Sequence, residues 1–361
     1  MQQNFHVLAN QMKQFHLLCF LVLCVVSSAV KVAERMIPRS SFVKGTKSDA
    51  ASTHELVFAV VQKNTEILEE RLMQRSTPGT DNYQQWMSYE QVHELSCNPE
   101  GSVAVLDWLR THDVQVTWQS THQEYIKATA TIATWEDILS ASFYEYKDHS
   151  SKAELSHNDK TIHRAESYSL PTSVAEHVSG VFNTVQVPPE WKPAYSVLKQ
   201  NSKQLLSSTR VTPAFLNSFY KITPFTGKVS PKVQQAVFET NGESFSPGDL
   251  TRFQDKFGLP RQAALAPYGH ATTDCIHNSC FEGNLDVQYL MGIAPGVTTI
   301  YWYTGTSDPF LTWITNVANT PNPPLVNSIS WGSIEAVSRI SQYISNVNVL
   351  FMLSCNCIFG C

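Results

Sequence analysis

The sequence predicts two folded units of different class. An α+β domain, with helices on one face of an antiparallel sheet, covers 51–148, and a partial α/β domain with a parallel sheet covers 211–361. Three observations carry this. Short apolar or alternating runs crowd the first stretch with few helical segments between them, strands and helices take turns in the last, and 149–210 is rich in Ser, Lys, His and Pro without periodicity. A chain of 361 residues with 42% hydrophobic and 16% charged residues can bury real cores and is not a disordered one. A net charge of -5 without basic clusters argues against nucleic acid as a partner.

Taken in order, Lys13, the apolar run at 17–26 and the small residues Ser27, Ser28 and Ala29 read as a cleavable secretory signal over 1–29. The run is too short to span a bilayer, so no stable membrane anchor is expected. The wholly apolar run 56–61 predicts a buried strand, 65–73 an amphipathic helix closed by Pro78 and Gly79, and 103–109 a second helix behind Asn98 and Pro99. Alternation predicts strands at 114–118 and 125–132. Thr134 is expected to cap a short helix at 135–139, and 143–146 is a last short strand. The linker over 149–210 ends in a polar run at 201–204 that a protease would find accessible.

Past Thr212 and Pro213 the period switches. Strands are expected at 233–238, 297–302 and 325–330, helices at 247–257, 282–291, 309–317 and 335–345, and a final apolar run at 347–353. Such alternation calls for a parallel sheet covered on both faces. Of eight cysteines, Cys19 and Cys24 would leave with the signal. Cys275 and Cys280 are near enough in sequence to close a small loop ahead of Glu282, with two unpaired thiols as the alternative.

The chemistry-bearing feature is the run from Glu282 to Leu290. Glu282 and Asp286 fall one turn apart on one helix face, among Leu285, Val287, Tyr289 and Leu290. Like charges so placed repel, and a helix that keeps them in apolar company needs a shared proton, a cationic partner or a task for them. A carboxylate-based active site is therefore the reading to test, against the plainer one of a solvated helix face. A metal site has little support, since there is no His-Glu-x-x-His and no repeated Cys-x-x-Cys. Gly305, Thr306 and Ser307 read as a loop and helix cap.

With these pieces in order, the chain resembles the sedolisin family of serine-carboxyl peptidases, and within it the tripeptidyl-peptidase branch. The resemblance runs from about Ala51 to Trp331. It rests on Asn82 to Ser88 with Val92 and Leu95, on Val211 to Leu216, on Phe253 to Gly258, on Glu282 to Met291, on Asp308 to Trp313 and on Val326 to Gly332. It implies a zymogen of the secretory pathway, extracellular, lysosomal or vacuolar, acting on peptide or protein substrates. Its parts would be an activation domain serving as chaperone and inhibitor, a linker cut at acidic pH and a subtilisin-like catalytic domain. It also implies that Glu282 is the general base toward a serine hydroxyl, that Asp286 is the partner setting its pKa, and that a complete member binds calcium.

The pattern breaks after Gly332. The Ser-Gly-Asp-Ser-Gly-like turn with the oxyanion aspartate, the later Gly-Thr-Ser segment with the nucleophile and the aspartate-rich calcium loop have no counterpart here. The expectation is a C-terminally incomplete, catalytically inactive representative with no nucleophile and no bound cofactor of its own. The alternative is a non-catalytic inhibitor or chaperone of an intact relative.

Overall fold

The computed structural model describes residues 30–39, 41–149, 161–188, 192–193, 211–225, 227–269, 275, 280–306, 308–324 and 326–332. The expected signal at 1–29, the helix at 335–345 and the apolar run at 347–353 lie outside the described residues.

The leading unit is organised by β3 (Thr53–Val60), whose last five residues are all buried. Apolar side chains at successive positions point to opposite faces, so such a strand must be covered on both. It pairs antiparallel with β5 (Tyr125–Thr131) from Thr53↔Thr131 to Ala59↔Tyr125, and on its other edge with β9 (Val178–Phe182). With β4 (Gln115–Gln119) outside β5, the order is β4-β5-β3-β9. Two smaller antiparallel sheets flank it: β2 (Phe42–Lys47), β6 (Phe143–Asp148) and β7 (Thr161–Ala165), and the pair β1 (Val30–Arg35) with β8 (Ser167–Pro171).

Two expectations are corrected here. Helices do not keep to one face of the large sheet. Leu56, Phe58 and Val60 pack against α3 (Pro99–Arg110) through Val105, Leu106 and Leu109, and against α4 (Ile132–Ile138) through Ile132, Trp135 and Ile138. Val57 and Ala59, on the opposite face, pack with Leu68 of α1 (Thr65–Ser76) and Val92 of α2 (Tyr89–Ser96). The second correction concerns the linker. Residues 161–182 of the expected 149–210 connection form β7, β8 and β9, with the short α5 (Thr172–Ala175) between the last two. Their apolar positions Ala165, Tyr168, Leu170, Val174 and Val181 are core residues, at 3% exposure or less. Ser167, Ser169 and His163 interrupt the apolar alternation within these strands and hid the period of two.

The second unit is a three-stranded parallel sheet in the order β12-β11-β13, formed by β11 (Gln234–Glu239), β12 (Thr298–Tyr303) and β13 (Val326–Ile329). Ala236, Phe238, Ile300 and Trp302 face α9 (Pro309–Ala318), which supplies Leu311, Trp313, Ile314 and Val317. Val237 and Tyr301 face the other way, against Phe245, Leu250 of α7 (Pro247–Phe257) and Val287 and Met291 of α8 (Phe281–Ile293). Three helices begin on sequence signals: Thr212 caps α6 (Pro213–Phe219), Ser246 caps α7 and Asp308 caps α9, each followed by proline at the first helical position. The helix boundary thus comes at Asp308, with Gly305 and Thr306 in the loop before it.

The two units share one core. Val57, Ala59, Leu68, Val92, Tyr125 and Phe182 of the leading unit belong to the same buried cluster as Phe238, Trp302, Trp313 and Val317. At the edge of this seam the Thr121 amide donates to Asn319 Oδ1 at 2.9 Å. A short antiparallel bridge, β10 (Lys192–Pro193) with β14 (Trp331–Gly332), ties the connection to the far end of the second unit. Among the described residues, no helix is long and apolar enough to cross a membrane.

Candidate functional site

Helix α8 lies on one face of the parallel sheet, its last turn beside Gln235 at the start of β11 and its first turns at the carboxyl end, the side on which open α/β sheets gather functional groups. Its sequence is apolar almost all round, as a helix packed between a sheet and its neighbours α6 and α7 must be. Within that apolar helix Glu282 is 2% exposed and Asp286 is 8% exposed. The plain reading of a solvated helix face is thereby excluded.

Each carboxylate meets the strand ends. Asp286 accepts hydrogen bonds from Ser330 Oγ at 2.7 and 2.9 Å and from Ser328 Oγ at 3.3 Å, both serines standing at the end of β13. Two further carboxylates join them. Glu239, the last residue of β11 and wholly buried, accepts from Trp331 Nε1 at 2.9 Å. Glu243, four residues on, accepts the Glu282 backbone amide at 2.6 Å and that of Gly283 at 3.4 Å. Among the described residues no Lys or Arg forms an ion pair with Glu239, Glu282 or Asp286.

Acidic groups gathered without a cation hold protons more tightly. Burial, then the charge of Asp286, lifts the Glu282 carboxyl to about 7, with Glu243 adding to the effect and a bond from Ser330 opposing it. Burial lifts Asp286 to about 6 against the pull of its two serine bonds. Burial and the Asp286 charge push Glu239 well above the usual carboxylate range, although Trp331 favours its ionised form. One oxygen of Glu282 and one of Glu239 are buried with no hydrogen-bond partner among the described residues. Groups coupled this closely give up protons in steps belonging to the set, so the site passes near neutrality from mostly protonated to partly ionised. Chemically, it is a proton store with a carboxyl oxygen left to accept from a further group.

The pair Glu282 and Asp286 is the part the sequence located. Glu239 and Glu243 were missed, because no local spacing links a strand end and the loop after it to a helix turn that begins 39 residues beyond Glu243. The available signal was an acidic residue directly after the buried apolar run that ends at Phe238. Cys275 and Cys280 are disulfide-bonded, their Cα atoms 5.3 Å apart, and Cys280 is the residue before α8. Among the described residues no group of three or more His, Cys, Asp or Glu has the arrangement of a metal site.

Residues 40–187 match the family model described as Pro-kumamolisin, activation domain. This match and the relatives below support the likeness to the sedolisin family, in its tripeptidyl-peptidase branch. The match covers the leading unit and, by ending at 187, agrees with β7, β8 and β9 being part of it. The chain is 28% identical to tripeptidyl-peptidase 1 of Canis lupus familiaris over 354 residues, 93% of this chain and 60% of the relative. It is 27% identical to tripeptidyl-peptidase 1 of Homo sapiens over 320 residues, 85% of this chain and 54% of the relative. Physarolisin of Physarum polycephalum is 28% identical over 295 residues, 78% of this chain and 47% of the relative. The chain thus spans about half the length of the curated relatives it matches.

Proposed function

We propose that this chain is the leading part of a serine-type peptidase zymogen of the tripeptidyl-peptidase kind, made for the secretory pathway and working at acidic pH. The observation that carries the reading is the buried, hydrogen-bonded Glu282 and Asp286 pair at the carboxyl end of a parallel sheet. In this reading the second unit is part of a subtilisin-like domain and the leading unit is its inhibitor and chaperone. The connection to be cut lies within 189–210, shorter than the sequence first suggests. Peptides are the substrate, the signal occupies 1–29, and calcium belongs to the complete enzyme.

The chemistry follows from the geometry. A serine hydroxyl attacking a peptide carbonyl must lose its proton, and at the pH of a lysosome an imidazole base would already be protonated. At acidic pH the coupled set holds most of its protons, so the ionised Glu282 that this step uses is a minor form of the site as it stands. Glu282, with a buried oxygen lacking a partner, is the member placed to accept. Asp286, fixed by Ser328 and Ser330, holds the orientation and tunes Glu282 through its charge. The mechanism needs a serine hydroxyl, to which no motif in this sequence is assigned. In the full-length form, Glu282→Gln is expected to lower tripeptide release at acidic pH about 10²- to 10⁴-fold, the range for a positioned base. Unchanged release would remove Glu282 from the role.

A second reading has one observation in its favour, the extensive shared core between the two units. A chain of this kind could inhibit or chaperone an intact relative without catalysis. Adding the purified chain to an active tripeptidyl-peptidase and finding no loss of activity would dismiss it.

A further inference from the structure

Helix α8 has no cap of its own, since its preceding residue, Cys280, makes no side-chain hydrogen bond to the first turn. The first four amides of any helix lack partners within it, and a helix end set into a protein interior must find them elsewhere. Here they are found across the fold. Glu243 Oε1 receives the amides of both Glu282, at 2.6 Å, and Gly283, at 3.4 Å. A carboxylate at this end also meets the positive pole of the helix.

The loop carrying Glu243 is itself held down. Tyr301 Oη, from β12, donates to the Glu243 carbonyl at 2.7 Å. One residue on, the Ser244 carbonyl lies so close to α8 that a Cβ on Gly283 would collide with it. Two residues further, the Ser246 amide donates to Asn284 Oδ1 at 2.8 Å. The three residues Glu282, Gly283 and Asn284 are thus seated, one after another, on the 243–246 loop. That loop follows directly from the strand end bearing Glu239.

We propose that Glu243 is a positioning residue for the Glu282 and Asp286 pair, its carboxylate clamping the first turn of α8 to the end of β11 and so fixing where Glu282 stands. The proposal rests on the reading of that pair as the working site. Glu243 acts on Glu282 in two ways. It bonds the Glu282 backbone, and its negative charge faces the Glu282 carboxyl, favouring the protonated form. The other titratable groups acting there are Asp286 from α8 itself and Glu239 from the end of β11, while Tyr301 from β12 interacts with Glu239, Glu243 and Asp286; Glu282 also receives the Ser330 bond.

Two substitutions separate the roles. Glu243→Gln retains a carbonyl oxygen for the two amides and loses the charge, whereas Glu243→Ala loses both. The full chain, with its glutamates labelled with ¹³C at the carboxyl carbon, would be titrated by NMR, and the Glu282 signal assigned by its absence in Glu282→Gln. Amide hydrogen exchange at 282 and 283 would be followed in parallel. In Glu243→Gln the two amides should remain protected while the Glu282 midpoint falls, by less than the fall in Asp286→Asn, because Asp286 is the stronger of the two charges acting on it. In Glu243→Ala the amides should exchange at least about tenfold faster, as loss of a charge-assisted bond requires.

An unmoved midpoint in the glutamine variant, or undiminished protection at 282 and 283 in the alanine variant, overturns the proposal. If the alanine variant does not fold, the glutamine variant decides alone, since a purely structural strut would leave the midpoint where it was. Neither readout needs turnover. Failure of the peptidase reading would show as unchanged activity in Glu282→Gln, a different result from either of these.

Discussion

Acid should loosen the leading unit through His54, and the size of the effect can be worked out. His54 lies on β3, its Nε2 2.9 Å from the Asn183 carbonyl, its ring edge-on to Phe143 and 5.9 Å from that of His163, with the buried Arg164 guanidinium nearby. Burial, opposed by the Asn183 bond and helped by Arg164 and His163, lowers its pKa from 6.5 to about 4. In the unfolded chain it returns to the ordinary value. Between the two values the unfolded state binds more protons, so the contribution is intact above pH 6.5 and is lost as pH falls toward 4. At about 1.4 kcal/mol per unit the loss approaches 3 kcal/mol, and solvent at the ring edge trims it to roughly 2 kcal/mol. Amide exchange across β3 and β5, corrected for the intrinsic rate at each pH, reads this locally in the whole chain. His54→Gln keeps an N–H for Asn183 and cannot titrate, so its opening free energy should fall between pH 7 and 4 by about 2 kcal/mol less than that of the wild type. Equal falls in the two proteins would refute the assignment of the effect to His54.

The site responds in the opposite sense, because folded Glu282 and Asp286 hold protons more tightly than the unfolded chain does. Their burial should therefore weigh against the second unit above about pH 7 and cease to do so as pH falls through 6 toward 4, measurable as rising protection of α8 amides on acidification. Asp286→Asn removes the like charge beside Glu282 and should move the Glu282 midpoint downward in a carboxyl titration by NMR. Gly283→Ala forces a methyl against the Ser244 carbonyl and should cost about 1–3 kcal/mol in urea unfolding followed at α8, with the upper end favoured because the obstacle is backbone. Trp331→Phe leaves the buried Glu239 Oε2 without its indole donor and should cost about 1–3 kcal/mol by the same measurement.

Most elements were legible in the sequence where period and punctuation agreed. Helix α7 is legible at 247–257, where Ser246 and Pro247 open it and the αL residue Gly258 closes it. The parallel sheet was legible because β11 and β12 each carry an unbroken apolar run, at 236–238 and 300–303, alternating with helical segments. What stayed hidden had non-local causes. Strand β9 closes the leading sheet through Phe182, Val181 and Gly180 pairing with Val57, Phe58 and Ala59, a contact of more than 100 residues' separation that no local pattern announces. Helix α2 opens with a reciprocal cap between Ser88 and Gln91, a sign that was present but sits in a stretch of mixed polarity. The acid pair declared itself through spacing on one helix. Its setting, Glu239, Glu243 and the serines of β13, is assembled by the sheet and could only be seen once the strands were side by side.

The common core between the two units has a mechanical meaning. Any cut in the stretch joining them severs a leash, while Phe238, Trp302 and Trp313 stay sealed under Val57, Ala59 and Phe182. Parting the halves would bare greasy flanks on both at once, so nicked material should travel as a single particle until something else, such as a change in acidity, undoes the grip.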